Sequence, residues 1–146
     1  MALPNDPLSD IQLLDLACTL GIKKINVVMN DEYKTLRKGQ SSIVNLDRST
    51  GGGTHWVAVY FTGKELWYFD SFGLMPPESV ARSTQKTIIW NRSRYQADSS
   101  NRCGYYCLAF LLCVSVNGHS FQDFVDILDI KTLKKNETTI ARILKI

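Results

Sequence analysis

The stretch Cys103-Gly104-Tyr105-Tyr106-Cys107-Leu108-Ala109-Phe110-Leu111-Leu112-Cys113-Val114 constrains the fold more than any other part of the chain. It is the most apolar run present, too long for an ordinary strand and too short to span a bilayer, which predicts a buried helix. The segment before it, Asp98-Ser99-Ser100-Asn101, is loop-like and rich in residue types that cap helix N-termini. Cys103 is therefore expected where loop becomes helix, beside unpaired backbone N–H groups and the positive end of the helix dipole. That environment favours thiolate over thiol, the form in which cysteine is a nucleophile.

At 146 residues, 45% hydrophobic and 21% charged, the chain is expected to form one domain over 1–146 with a real core. The net charge of +3 permits contact with nucleic acid but does not argue for it. No segment is long enough to cross a membrane, and there is no tandem repeat. The start, Met1-Ala2-Leu3-Pro4-Asn5-Asp6-Pro7, lacks a basic region followed by an apolar stretch, so no secretory leader is expected. Four cysteines stand at 18, 103, 107 and 113, three of them on the expected central helix. Such clustering is unlike a disulfide framework and points to a reducing compartment.

Taken in order, Ser9 reads as a helix N-cap with Gln12 completing a capping box, and Gly21 as the residue that ends the helix. Its apolar face is expected to be Ile11, Leu13, Leu14, Ala17, Cys18 and Leu20, with Cys18 a small core residue. Ile25 to Met29 and Ser41 to Leu46 read as short strands, and 47–53 as a turn-rich loop ending in three glycines. His55 to Phe61 alternates as a strand, turns at Thr62-Gly63-Lys64 and returns as Glu65 to Phe69. A helix from Glu78 to Gln85 precedes a strand at Thr87 to Trp90, and 92–102 is loop containing Gln96. Ser120 caps a helix to about Leu128, and Asn136 caps a last one carrying Ile140, Ile143, Leu144 and Ile146. The fold class is α+β: a short central antiparallel sheet with helices at both ends.

Cysteine chemistry needs a base for the thiol proton, a group that orients the base, and donors for a developing oxyanion. The chain has two histidines, His55 and His119. Pairing around the 62–64 turn, with Phe61 opposite Lys64, sets His55 close to opposite Asp70, where a carboxylate can hold the imidazole by its second nitrogen. The bland alternatives are a solvated His–Asp pair and a Cys103 that is merely packed. Cys107 is the rival nucleophile, but it lies one turn inside the helix, where burial raises a thiol's pKa. Cys103, Cys107 and His119 also suggest zinc, though a fourth ligand at plausible spacing is missing, so no metal is expected.

Gly52-Gly53-Thr54-His55-Trp56, Tyr68-Phe69-Asp70-Ser71-Phe72-Gly73, Gln96 and Cys103-Gly104 follow the order and spacing of the adenovirus-type cysteine proteases. Those enzymes share a clan with the Ulp/SENP deSUMOylating proteases. Over about residues 3–115 the chain resembles most the maturation proteases of virophages and Polinton-type elements. The resemblance implies a papain-like, adenain-like fold with the nucleophile at the start of a buried helix. It implies Cys103 as nucleophile, His55 as general base and acid, Asp70 as the orienting acid and Gln96 as an oxyanion donor. Trp56 resembles the aromatic that roofs a narrow substrate cleft, or is a half-buried strand tryptophan. Gly53 and its neighbours would let substrate backbone approach closely.

The function implied is an endopeptidase that cleaves viral capsid precursors after small residues such as glycine, without a cofactor. A deconjugating protease for ubiquitin-like proteins would use the same machinery, and a non-catalytic interaction module would have kept only the fold. A monomer is expected, in host cytoplasm or viral factory and in the virion. No cysteine lies between Asp70 and Cys103, where adenoviral enzymes carry the thiol that joins an activating peptide, so no disulfide-linked activator is expected. Lys134-Lys135 and the arginines at 92 and 94 are small basic clusters that leave DNA contact undecided.

Overall fold

A computed structural model describes residues 3–47 and 55–146. The elements run α1 (Asp10–Thr19), β1 (Ile25–Met29), a 3₁₀ turn (Asn30–Glu32), β2 (Ser41–Asn45), β3 (Trp56–Phe61), β4 (Glu65–Phe69) and α2 (Glu78–Ala81). They continue with β5 (Thr87–Trp90), α3 (Cys103–Leu111), a π-helical turn (Leu112–Val116), α4 (Phe121–Asp126) and α5 (Lys134–Leu144). None of the helices among the described residues is long and apolar enough to cross a membrane.

All nine residues of α3 are buried. The helix lies across β3 on one face of the sheet, with α1 and α5 packed against it. Phe69 stacks between Phe110 at 5.3 Å and Tyr95 at 6.1 Å, and Phe124 meets it edge-on at 5.2 Å. Each large apolar side chain fully buried in this way contributes about 1.5–3 kcal/mol. The strands alternate as read: Trp56 and Ala58 face α3, while Val57 and Val59 join Val44, Leu66 and Tyr68 in a second cluster behind the sheet.

The five strands form one sheet in the order β1-β2-β3-β4-β5. Its centre, β2-β3-β4, is antiparallel as expected, but both edge strands run parallel to their neighbours. A strand's direction depends on the connection that delivers it. The 3₁₀ turn before β2 and α2 before β5 are crossovers rather than hairpins.

Several local readings hold. Ser9 and Gln12 form the capping box. Gly21, at φ +80°, closes α1 as a Schellman turn, with its N–H on Cys18 O and the Ile22 N–H on Ala17 O. Others need correction. The buried stripe of α1 is Leu13, Leu16, Ala17 and Leu20, while Ile11, Leu14 and Cys18 face solvent. α2 stops at Ala81 instead of Gln85.

Asn136 does not cap α5, which begins two residues earlier. It is buried inside that helix. Its Oδ1 accepts from the Asp129 N–H at 2.7 Å, and its Nδ2 donates to the carbonyls of Tyr95 and Asp129, each at 2.8 Å. Residues 98–101 likewise leave α3 without a side-chain cap among the described residues, since the N-cap is Arg102.

Candidate active site

The turn between β3 and β4 sets the site's geometry. It is a two-residue loop, Gly63-Lys64, with Thr62 N–H donating to Glu65 O at 3.0 Å and the Thr62 hydroxyl accepting from the N–H groups of Lys64 and Glu65. Gly63 stands at φ +98°, which a tight hairpin favours and only glycine adopts readily. The ladder therefore pairs Ala58 with Phe69 and Phe61 with Leu66. Continued to its end, that register puts Phe72, not Asp70, opposite His55. The expected register was off by two, and a shift of two keeps every side chain on its own face. His55 stacks on Phe72 at 4.3 Å and still reaches the diagonal Asp70, its Nε2 lying 2.6 Å from Oδ1.

Asp70 is fully buried and held from three sides. Its Oδ1 accepts from the Phe72 N–H at 2.8 Å as well as facing His55. Its own N–H donates to Asn91 Oδ1 at 3.1 Å, and Asn91 Nδ2 donates back to the Asp70 carbonyl. Oδ2 has no hydrogen-bond partner among the described residues. Gly73 makes the sharp turn that follows possible. It stands at φ +74°, and a Cβ there would lie 2.6 Å from the Ser93 carbonyl oxygen.

Cys103 opens α3. The Trp56 N–H donates to its Sγ at 3.4 Å, and His55 lines the same small cleft. With Nε2 on Asp70, Nδ1 is the ring nitrogen left for the thiol. Burial disfavours the imidazolium, but the hydrogen bonds to Asp70 and Cys103, with the charges both can carry, overcome it and raise the His55 pKa from 6.5 to about 9. Gly104 lets α1 and the N-terminal segment approach, since a Cβ there would meet Leu13 at 3.1 Å and Leu8 at 3.2 Å. Cys107 is 1% exposed, and burial pushes its thiol well above the usual range. His119 lies beside Cys113 at the far end of the central helix, so Cys103, Cys107 and His119 are not brought together.

Gln96 is not a solvated loop residue: it is 0% exposed. Its Nε2 donates to the Ser100 carbonyl at 2.9 Å and to Ser100 Oγ at 3.1 Å, while its Oε1 accepts from the Ser71 hydroxyl. Together with His55 and Cys103 it lines a cleft of about 140 Å³ that Pro7, Phe72, Asp98, Ser100 and Asn101 complete. That is well below the roughly 300–1,000 Å³ of ligand pockets in general. Trp56 is buried in the core, its Nε1 donating to Leu8 O at 2.9 Å, and it is not among the residues lining this cleft. The glycines at 51–53, Gly53 among them, lie outside the described residues. The sequence shows neither a role for Asn91 nor the bonds that Ser71 and Ser100 make to Gln96, because a polar loop residue carries no signal until its partners are known.

No protein-family model matches the chain. In structure it is similar to the protease of African swine fever virus, with a TM-score of 0.63 and 19% identity over 96% of this chain and 67% of that one. It is similar also to the SUMO protease Ulp1, with a TM-score of 0.52 and 13% identity over 97% of this chain and 79% of Ulp1. The fold is that of the Ulp1-like cysteine proteases. In sequence the chain is 32% identical over 100 residues to the SUMO-1 cysteine protease of African swine fever virus. The match takes in 57% of this chain and 36% of the viral protein, so the chain spans about a third of that relative's length.

Proposed function

We propose that the chain is a cysteine endopeptidase with Cys103 as nucleophile, His55 as acid and base, and Asp70 as the group that orients His55. The observation that carries this reading is a histidine held at 2.6 Å by a buried aspartate, in one cleft with a cysteine at a helix start; its raised pKa, about 9, agrees with it. Cys103 reacts once its thiol proton has passed to His55, which leaves a thiolate beside an imidazolium. The thiolate attacks the carbonyl carbon of the scissile peptide. The oxyanion is held by a Gln96 amide proton and the Cys103 backbone N–H. His55 gives its proton to the leaving amine and a thioester remains. His55 then takes a proton from water, the hydroxide adds to the thioester, and Cys103 leaves as thiolate.

For substrate we propose virion precursor proteins cleaved after small residues, by a monomer in the host cytoplasm or viral factory and in the virion. The small cleft supports the preference for glycine, and the viral source of the sequence relative supports the setting. A second reading, deconjugation of ubiquitin-like proteins, is supported at least as well by the likeness to Ulp1 along 97% of this chain. The test is incubation with precursor capsid proteins and, separately, with a SUMO-type precursor, followed by mass spectrometry of the new termini. Internal cuts after glycine in the capsid proteins support maturation, and release of an intact ubiquitin-like protein supports the second reading. Turnover of neither, or turnover that survives Cys103→Ala, overturns the proposal. Adding duplex DNA to the same assay decides whether DNA is an activator.

A further inference from the structure

α5 lies beyond the part of the chain that carries the sequence resemblance, yet it reaches the loop that holds Gln96. Glu137, in its first turn, is three-quarters or more covered and faces three donors. Its Oε1 accepts from the Ser100 hydroxyl at 2.8 Å and from Arg102 Nη1 at 3.0 Å, and its Oε2 accepts from the Tyr106 hydroxyl at 2.5 Å. Burial and this bond to Glu137 both raise the Tyr106 pKa, which keeps the phenol a donor.

A carboxylate only accepts, so the Ser100 O–H is committed to Glu137 and Ser100 Oγ is left to accept. It accepts from Gln96 Nε2 at 3.1 Å and from the Arg102 N–H at 3.2 Å, while the Ser100 carbonyl takes Gln96 Nε2 at 2.9 Å. The Gln96 amide is thereby oriented. Turned over, its oxygen would face two acceptors and the Ser71 hydroxyl would lose the acceptor it now has.

We infer that Glu137, acting through the Ser100 hydroxyl, is a positioning residue that keeps the donor end of the Gln96 amide turned toward Ser100 and the start of α3. This rests on the reading of Gln96 as an oxyanion donor. Glu137 touches no reacting atom. Its contribution is the orientation of one amide before substrate arrives, which counts in the transition state and not in substrate binding.

The experiment is steady-state cleavage of a peptide substrate by Gln96→Ala, Glu137→Leu, Glu137→Gln, Ser100→Ala and the double variant Gln96→Ala/Glu137→Leu, each per active thiol. Gln96→Ala is expected to lower kcat roughly 10²–10³-fold, and Glu137→Leu and Ser100→Ala roughly 10- to 100-fold, all with KM and the rate of thiol alkylation unchanged. Glu137→Gln retains an acceptor for Ser100 and is expected to stay within a few-fold of the unsubstituted protein, although it loses the ion pair with Arg102. The double variant is expected to be no slower than Gln96→Ala alone, whereas an independent structural role would make the two losses multiply. If Glu137→Leu does not fold, Ser100→Ala and Glu137→Gln decide the matter. Normal kcat in Ser100→Ala, with Gln96→Ala impaired, overturns the role of Glu137 and leaves the protease reading intact. Normal kcat in Gln96→Ala overturns both the donor and the relay behind it.

Discussion

Replacing Asp70 with asparagine tests the electrostatic basis of the site. The substitution keeps an oxygen for the Phe72 N–H and the His55 ring but removes the charge. It also places an N–H₂ where Oδ2 is now buried without a partner among the described residues. What remains is burial, which disfavours the imidazolium, opposed by Cys103 alone, so the His55 pKa should fall from about 9 toward the ordinary 6.5. At pH 7.5 a group of pKa 9 is about 97% protonated and one of pKa 6.5 about 9%, so the imidazolium population drops by up to about tenfold.

In a Cys–His ion pair, loss of the imidazolium proton sets the alkaline limb of the rate profile. That limb is expected near pH 9 in the unsubstituted protein and lower, by up to about two units, in Asp70→Asn. The assay is kcat/KM against pH between 5 and 10, approximately, with a fluorogenic peptide. Stability gives an independent readout. A folded pKa raised above the unfolded value stabilises fully below pH 6.5, and that contribution is lost as pH rises through about 9. The unsubstituted protein should therefore lose Tm across this window, and Asp70→Asn should show a smaller loss. An alkaline limb that stays near 9 in the variant would refute the assignment of Asp70.

Cys103→Ala is expected to abolish turnover with the fold retained, and iodoacetamide at neutral pH should label Cys103 before Cys107, whose thiol is buried and shifted up. Predominant labelling at Cys107, read by peptide mapping, would reverse the choice of nucleophile. Cys107→Ala should keep most activity and lower stability by about 1–2 kcal/mol through the small cavity it leaves, measured by urea denaturation. Gly73→Ala combines a φ of +74° with a Cβ 2.6 Å from the Ser93 oxygen, so it should cost at least about 1–3 kcal/mol and displace the Asp70 turn. Unchanged denaturation midpoint and activity in that variant would mean that the turn relaxes freely.

What could be read from the sequence alone was local. Ser9 and Gln12 cap α1 because their partners are three residues apart, and Gly21 ends it because the left-handed conformation after the helix favours a residue without a Cβ. β1 and β5 fall on the residues expected, since β-branched runs bounded by polar residues have few other uses. The helix from Cys103 was legible from its apolar length, and Cys103 stood out because a helix start changes what a thiol can do. His55 and Asp70 were legible as a pair even though the turn was misjudged, because the parity of a strand survives an error of two residues.

Only the tertiary structure decided the features that depend on distant partners. The edge strands are parallel because of how their connections pack, which no strand's own residues state. Three of the six residues expected on α1's apolar face, Leu13, Ala17 and Leu20, do pack inward, but packing against β1 and α3 recruits Leu16 and leaves Ile11, Leu14 and Cys18 exposed. Asn136, which reads as a cap, is a buried clamp on Tyr95 and Asp129. Glu137, 37 residues from Ser100 along the chain, has no meaning for Gln96 until α5 docks. A hydrogen bond between distant residues leaves no periodicity and no spacing in the sequence, so the chain must fold before its orientation can be known.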